Sequence, residues 1–457
     1  MLDWDFARPG DPIEDLAWAA WRWAPLMAGT WWHAEYGIEE GDDIEKRQRT
    51  NLAALVEGYT PTSDQRVRLA AAIGAQMTSH ADDIDDLART DPAFAALVDR
   101  GYVQAARDDA AWWAGVGEDW IASLRPRSTA PRRDPRVGPM SIVEYDASAW
   151  QGRDDGEGVE YRRWHQQVKQ TMAGRTASGG DRVALVGFSS EEGVRRNGGR
   201  LGAAEGPDAL RKALAPLAMH TDVALTDTGT VVVEGEDLEA GHDALGTRIA
   251  DALDTEGTSF VVVLGGGHET AWGSYLGRTR SQRLAGRRVG VVNLDAHFDL
   301  RQADHPTSGT PFLQMAHADE KAGRSFDYTV IGIAEPSNTR VLFDTADSLG
   351  AKYVLDVDAQ PSHLDDVLAV VDGVLARVDA IHLSIDLDVM PAAVAPGVSA
   401  PAGYGVPVEV LEAVCRRIAA SGKLAVLDIV ELCPRLDVDG RTAKTAARLV
   451  TTCVHAR

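Results

Sequence analysis

At 457 residues the chain is too long for one ordinary hydrophobic core, so two or three domains are expected. Hydrophobic residues at 44% and charged residues at 25% fit a soluble globular protein, and a net charge of −23 argues against nucleic acid or an anionic membrane as partner. No apolar run reaches the roughly 18 residues that span a bilayer, and Cys415, Cys433 and Cys453 form no C-x-x-C pair, so reduced thiols are expected.

The chain opens on Asp3 and Asp5 without the basic-then-apolar pattern of a signal peptide, and a cytoplasmic location is expected. Nine of the twelve tryptophans lie in the first 125 residues, between Ala-, Leu- and Asp-rich stretches such as 52–56 and 67–77 with helical spacing. Residues 1–125 therefore read as a small all-helical region, with the tryptophans packing its interior. Residues 126–139 are rich in proline and arginine and have no periodicity, which predicts a linker.

From residue 140 to 457 the pattern alternates. Short β-branched runs at 182–187, 223–225, 259–264, 288–294, 380–385 and 424–429 are separated by helix-like segments of about a dozen residues. That alternation predicts an α/β fold: a three-layer α-β-α arrangement around a parallel sheet, with its chemistry where strands deliver their C-terminal ends to loops.

Three predicted strands end in residues that bind metals. One runs into Gly265-Gly266-Gly267-His268-Glu269, a second into Asp295-Ala296-His297-Phe298-Asp299, and a third into Asp386-Leu387-Asp388. In extended chain alternate residues share a face, so D-x-H-x-D and D-x-D each aim their polar groups one way. Carboxylates at the end of an apolar strand face a high desolvation cost unless a cation is present. Taken singly, His268 could be a turn histidine, Asp386 and Asp388 could cap a helix, and the glycines could cradle a phosphate. Thr270 stands where a G-x-G-x-x-G fingerprint needs glycine, and no P-loop is present. Four aspartates and two histidines exceed what one metal needs, and the mixed ligands suit manganese or iron better than zinc.

The stretches GGGHE, NLDAHFDLR and SIDLDVMPAAVAPGVSAP, in that order, resemble the arginase–agmatinase–formimidoylglutamase family. GFSSEEGVRRNGGRLGAAEGPDALR (187–211) is similar to an upstream segment of the formimidoylglutamases, and 427–450 to the family's closing strand and helix. The resemblance covers roughly residues 150–454. It implies two Mn2+ per subunit, one held by His268, Asp295, Asp299 and Asp386 and the other by Asp295, His297, Asp386 and Asp388. It further implies Asp299 as a proton acceptor and Glu431 as the carboxylate that grips the substrate's nitrogens. Arg301 is the candidate for an anionic tail, with Arg195, Arg196 and Arg200 also available. His305 does not match the family's shuttle histidine, which leaves the general acid open. The implied reaction takes N-formimidoyl-L-glutamate and water to L-glutamate and formamide, a step in histidine breakdown. A guanidino substrate such as agmatine or arginine is the alternative, and a homo-oligomer is expected. At the other end, LDWDFARPGDPIEDLAWAAW (2–21) resembles the C-terminal lobe of aminoglycoside-phosphotransferase-like kinases, with Asp3 in the magnesium position. The base-bearing loop and nucleotide lobe of such kinases do not accompany it, so it is expected to be inactive.

Overall fold

The computed structural model describes residues 12–24, 26, 44–59, 63–123, 140–143, 149–170 and 181–457. Asp3, Trp4, Trp31, Trp32 and residues 126–139 lie outside the described residues. The chain divides into two compact units, Met1–Arg133 and Asp134–Arg457.

The first unit holds helices α1 (Pro12–Trp23), α2 (Ile44–Tyr59), α3 (Ser63–Leu87), α4 (Pro92–Asp99) and α5 (Tyr102–Ser123). The Asp91 side chain accepts from the Ala93 amide at 2.8 Å and Pro92 opens the first turn of α4, so a free amide is capped and a missing one costs nothing. Trp21, Trp113 and Trp120 are buried in one apolar cluster with Leu52, Ile73 and Met77. The Trp113 indole donates to the Ala70 carbonyl at 2.8 Å, and Trp21 donates to Asp109 at 3.1 Å. Those tryptophans serve as core, and the polar edges of Trp21 and Trp113 are satisfied.

The second unit is built on ten strands: β1 (Met140–Val143), β2 (Val168–Gln170), β3 (Arg182–Ser189), β4 (Ala224–Val233), β5 (Thr258–Leu264), β6 (Val289–Leu294), β7 (Asp327–Ile333), β8 (Lys352–Leu355), β9 (Ala380–Asp386) and β10 (Leu424–Val430). They run in the order β1-β4-β3-β5-β10-β9-β6-β7-β8, with β2 also paired to β4. Every pairing is parallel except β1 with β4. The expected α/β sheet is therefore present, extended by β1, β2, β7 and β8 beyond the six strands read from sequence.

Helices α6 (Gly206–Leu214), α7 (Leu238–Asp254), α8 (Thr270–Arg280), α9 (Pro311–Lys321), α10 (Arg340–Ser348), α11 (Leu364–Arg377), α12 (Val408–Ala420) and α13 (Arg441–Ala456) cover both faces. The two-residue period of the strands decides which helix each side chain meets. Val183, Leu185, Val262, Leu264, Leu383 and Ile385 join one core with residues of α6, α11, α12 and α13. Their neighbours Ala184, Val186, Val261 and Val263 join another with residues of α7. Because both faces are buried, the strands read as nearly continuous apolar runs. The topology then positions the site. The chain leaves β5, skips two places to lay down β6, β7 and β8, and returns to insert β9 and β10 into the space. Loops separated by more than a hundred residues thus emerge side by side at one edge of the layer.

Candidate metal centre

Four adjacent strands, β5, β10, β9 and β6, end at this cluster. His268 Nδ1 lies 3.2 Å from Asp295 Oδ2, 3.0 Å from Asp299 Oδ2 and 3.0 Å from Asp386 Oδ2. His297 Nδ1 lies 3.1 Å from Asp388 Oδ2 and 3.6 Å from Asp295 Oδ1. Two groups of donor atoms are each close enough to hold one ion: His268, Asp295 and Asp386, and Asp295, His297 and Asp388. They share Asp295. All six residues singled out in the sequence are brought together.

Local chain geometry aims these side chains. Asp295 Oδ1 accepts from the His297 amide at 2.7 Å, and Asp386 Oδ1 accepts from the Asp388 amide at 2.8 Å. Each aspartate so pins the turn that carries its partner two residues on, in the manner of an Asx turn. The capping reading of Asp386 and the ligand reading are compatible, since Oδ1 caps the turn while Oδ2 faces His268. Asp299 has φ 48° and Glu431 φ 67°, left-handed conformations that non-glycine residues rarely adopt and that cluster at functional sites. Gly266 is required by a backbone crossing, because a Cβ there would meet the Ser190 carbonyl at 1.9 Å. The neighbouring Gly267 amide donates to that same carbonyl at 3.0 Å, and Gly266 accepts from the Glu431 amide at 2.8 Å. The glycine run therefore serves close packing between strand ends.

The electrostatics ask for cations. Burial, together with the charges of Asp388 and Asp295, pushes Asp386 well above the usual carboxylate range. Burial and the charge of Asp295 also raise Asp299. Asp295 is lowered, because the two imidazoles beside it, His268 and His297, outweigh the burial that would raise it. His297 is pushed up to about 12, chiefly by the charge of Asp388. Yet His268 Nδ1 is buried, faces three carboxylate oxygens and completes no hydrogen bond, and Asp388 Oδ1 is also buried without one. A cluster that cannot ionise together on its own, with a ring nitrogen left over at its centre, fits divalent ions that take the place of protons. His297 keeps 23% of its side-chain surface exposed against 1% for His268, so the cluster opens on the His297 side.

Glu431 sits beside the cluster. Its Oε1 accepts from the His268 amide at 2.8 Å, and burial together with the nearby Glu269 pushes its carboxyl up to about 8. Arg301, two residues beyond Asp299, is exposed, with its stem against Gly309. His305 is exposed in the same loop. Arg195 and Arg196 pair with Glu192, Arg196 also with Glu239, and Arg200 donates to the Val398 and Ser399 carbonyls. Those three are committed to holding the 191–202 loop.

Sequence reading did not single out the polar groups beneath the ligands. Asn293 Nδ2 donates to Asp295 Oδ2 at 2.9 Å, and Ser190 Oγ and the Gly193 amide donate to Glu269 at 2.8 and 3.0 Å. His382 and Ser384 lie on β9 and Asp428 on β10, all fully buried. The signal was an alternation inside apolar strands, His-x-Ser-x-Asp in β9 and Asn-x-Asp from β6.

Residues 181–456 match the Arginase family. The chain belongs to the arginase family. Over 305 residues it is 53% identical to a formimidoylglutamase of Nocardia farcinica, covering 66% of this chain and 95% of that protein. It is 50% identical over 309 residues to the Rhodococcus opacus formimidoylglutamase, covering 67% and 95%. Among solved structures, the Trypanosoma cruzi formiminoglutamase with Mn2+ superposes with a TM-score of 0.53 at 23% identity, over 62% of this chain and 95% of that one. The Bacillus subtilis formimidoylglutamase gives 0.55 at 19%, over 74% and 98%. At those identities the structural likeness speaks for the fold alone. The family match begins at residue 181, so the helical unit lies outside it.

Proposed function

We propose that this arginase-family chain hydrolyses N-formimidoyl-L-glutamate with two Mn2+ ions, giving L-glutamate and formamide. The observation that carries the reading is the pair of donor groups sharing Asp295 beside the buried Glu431, in a chain half identical to formimidoylglutamases. His268, Asp295, Asp299 and Asp386 would hold one ion, and Asp295, His297, Asp386 and Asp388 the other. When bound, such a pair lowers the pKa of water enough to supply hydroxide near neutral pH.

The remaining work falls to the chain's own groups. Asp299, at the 12%-exposed margin of the cluster, takes the proton that the attacking water loses. Glu431 is a buried carboxyl raised by burial, and a cationic amidinium is the partner that lets it ionise; it receives the substrate's N–H groups. Water oxygen joins the formimidoyl carbon, that carbon's bond to the glutamate nitrogen breaks, and the leaving nitrogen takes up a proton. Arg301 pairs with a tail carboxylate of the substrate. We assign this chemistry to Asp134–Arg457 as a separate domain in the cytoplasm, with the helical unit a kinase-like remnant without phosphotransfer.

A substrate panel with added Mn2+, scored separately for formamide and urea, tests the reading. Formamide from formimidoylglutamate is expected. Urea from agmatine or arginine without formamide would assign a guanidino substrate, and two bound ions with no turnover would make the chain a metal-binding scaffold.

A further inference from the structure

Below the candidate metal centre lies a polar rung inside the sheet. Strand register puts Asn293 of β6 opposite Ser384 of β9, and Ser384 opposite Asp428 of β10. His268 Nε2 meets Ser384 Oγ at 3.0 Å, Ser384 Oγ donates to Asp428 Oδ1, and His382 Nε2 meets Asp428 Oδ2 at 2.5 Å. His382, Ser384 and Asp428 have no accessible surface, so no water competes for these bonds. A buried carboxylate, hydroxyl and imidazole in the middle of apolar strands cost several kcal/mol unless each is bonded. Packing alone would have been met by the valines and isoleucines that fill the rest of these strands.

The polarity of the chain of bonds follows from what each atom can do. Asp428 accepts on both oxygens. Ser384 spends its single proton on Asp428 and has only lone pairs left for His268. Nε2 of His268 must then be the donor, which leaves the lone pair of the neutral ring on Nδ1, the nitrogen that faces Asp295, Asp299 and Asp386. Outer partners of this kind fix the tautomer and ring orientation of a liganding histidine.

We infer that Asp428, acting through Ser384, is a positioning residue that holds His268 in the tautomer able to bind one of the two ions. The inference rests on the reading of His268 as a ligand. His297 and Asp388, the residues assigned to the other ion alone, make no hydrogen bond to Ser384 or Asp428, so that ion should not feel the change.

Asp428→Asn tests the polarity directly. An amide facing Ser384 donates to it, the serine proton turns toward His268, and Nε2 becomes the acceptor, moving the ring proton to Nδ1. Ser384→Ala removes the link with the loss of one hydroxyl. The full chain and both variants would be titrated with Mn2+, and the ions counted by electron paramagnetic resonance. Nitrogen NMR of the metal-free proteins, at a pH where the ring is neutral, would report the His268 tautomer. One ion is expected to bind about 10- to 100-fold more weakly in each variant. The spin-coupled signal of the pair should give way to that of a single ion, with the second affinity unchanged. In Asp428→Asn the ring proton should appear on Nδ1. Variants that bind both ions as the parent does would overturn the positioning role and leave the metal centre standing. Equal loss of both ions would also overturn it, and a parent chain that binds no Mn2+ would instead remove the metal reading beneath it. If Asp428→Asn fails to fold, as metal-free melting would show, Ser384→Ala decides alone.

Discussion

Among the described residues the Arg301 guanidinium makes no hydrogen bond or ion pair, whereas Arg195, Arg196 and Arg200 are tied to carboxylates or carbonyls. A free planar fork on the loop after Asp299 can clamp an anionic tail. Arg301→Ala should therefore lose a charge-assisted contact of roughly 1.5–3 kcal/mol, or about 10- to 150-fold in kcat/KM. Arg301→Lys should recover only part, because a point charge cannot reproduce the bidentate fork. Kinetics and manganese content measured on the same samples check this, and a metal-poor Arg301→Ala would show that the residue only braces the loop. The ligand-type residues were legible because they stand at strand ends, where apolar runs break into carboxylates. The other arginines could have been sorted from sequence too, since Glu192 precedes Arg195 and Arg196 by three and four residues, the spacing of helical ion pairs. Asp428 and Ser384 could not, because their partnership depends on strand register.

At the level of elements, the core strands were readable as continuous apolar runs, but β7 and β8 were not picked out. β8 is short and only half-buried, which weakens its pattern. The order in which β9 and β10 insert between β5 and β6 leaves no trace in local periodicity, so spacing alone does not place Glu431 next to His268, and only the family resemblance pointed to it. Helix α7 carries a further cost that its amphipathic pattern hides. His242 is buried on it, stacked on Phe188 at 5.8 Å, and neither ring nitrogen reaches a hydrogen-bond partner. Burial holds its pKa down to about 4; the nearby Glu269 carbonyl and Glu239 oppose this weakly, and Arg196 adds to it. An unfolded imidazole titrates near 6.5, so the unfolded chain binds the extra proton between those values. This site favours the folded state fully above pH 6.5 and loses that advantage as pH falls toward 4, by about 3 kcal/mol. His242→Phe keeps the stacking and removes the proton site. The difference in urea midpoint between variant and parent should grow in the variant's favour from pH 7 to 4.5. A constant difference would mean that His242 is not the group responsible.

Across the whole molecule, two kinds of chain are joined. The first is held by tryptophans and helix caps, the second by a sheet whose faces are both covered, and among the described residues no helix is long and apolar enough to cross a membrane. The change in composition announces this join, but the role of the helical unit is not written in it. The Asp3 on which a kinase-like reading depends lies outside the described residues. All six proposed ligands, Glu431, Arg301 and the rung under His268 belong to Asp134–Arg457, and the edge strand β1 that pairs with β4 begins at Met140, inside that unit. Each unit has its own buried core, and units of that kind fold separately as a rule. Deleting residues 1–133 should therefore leave a soluble chain that binds the same number of Mn2+ ions. Its kcat/KM for formimidoylglutamate should stay within about twofold of the full chain, since surface changes far from a site are close to neutral. Manganese stoichiometry, thermal melting and formamide release on the shortened chain check this. A shortened chain that is insoluble or loses its metal would show that the helices are part of the hydrolase fold. One that stays metal-loaded but is slow would assign the helices a part in binding substrate.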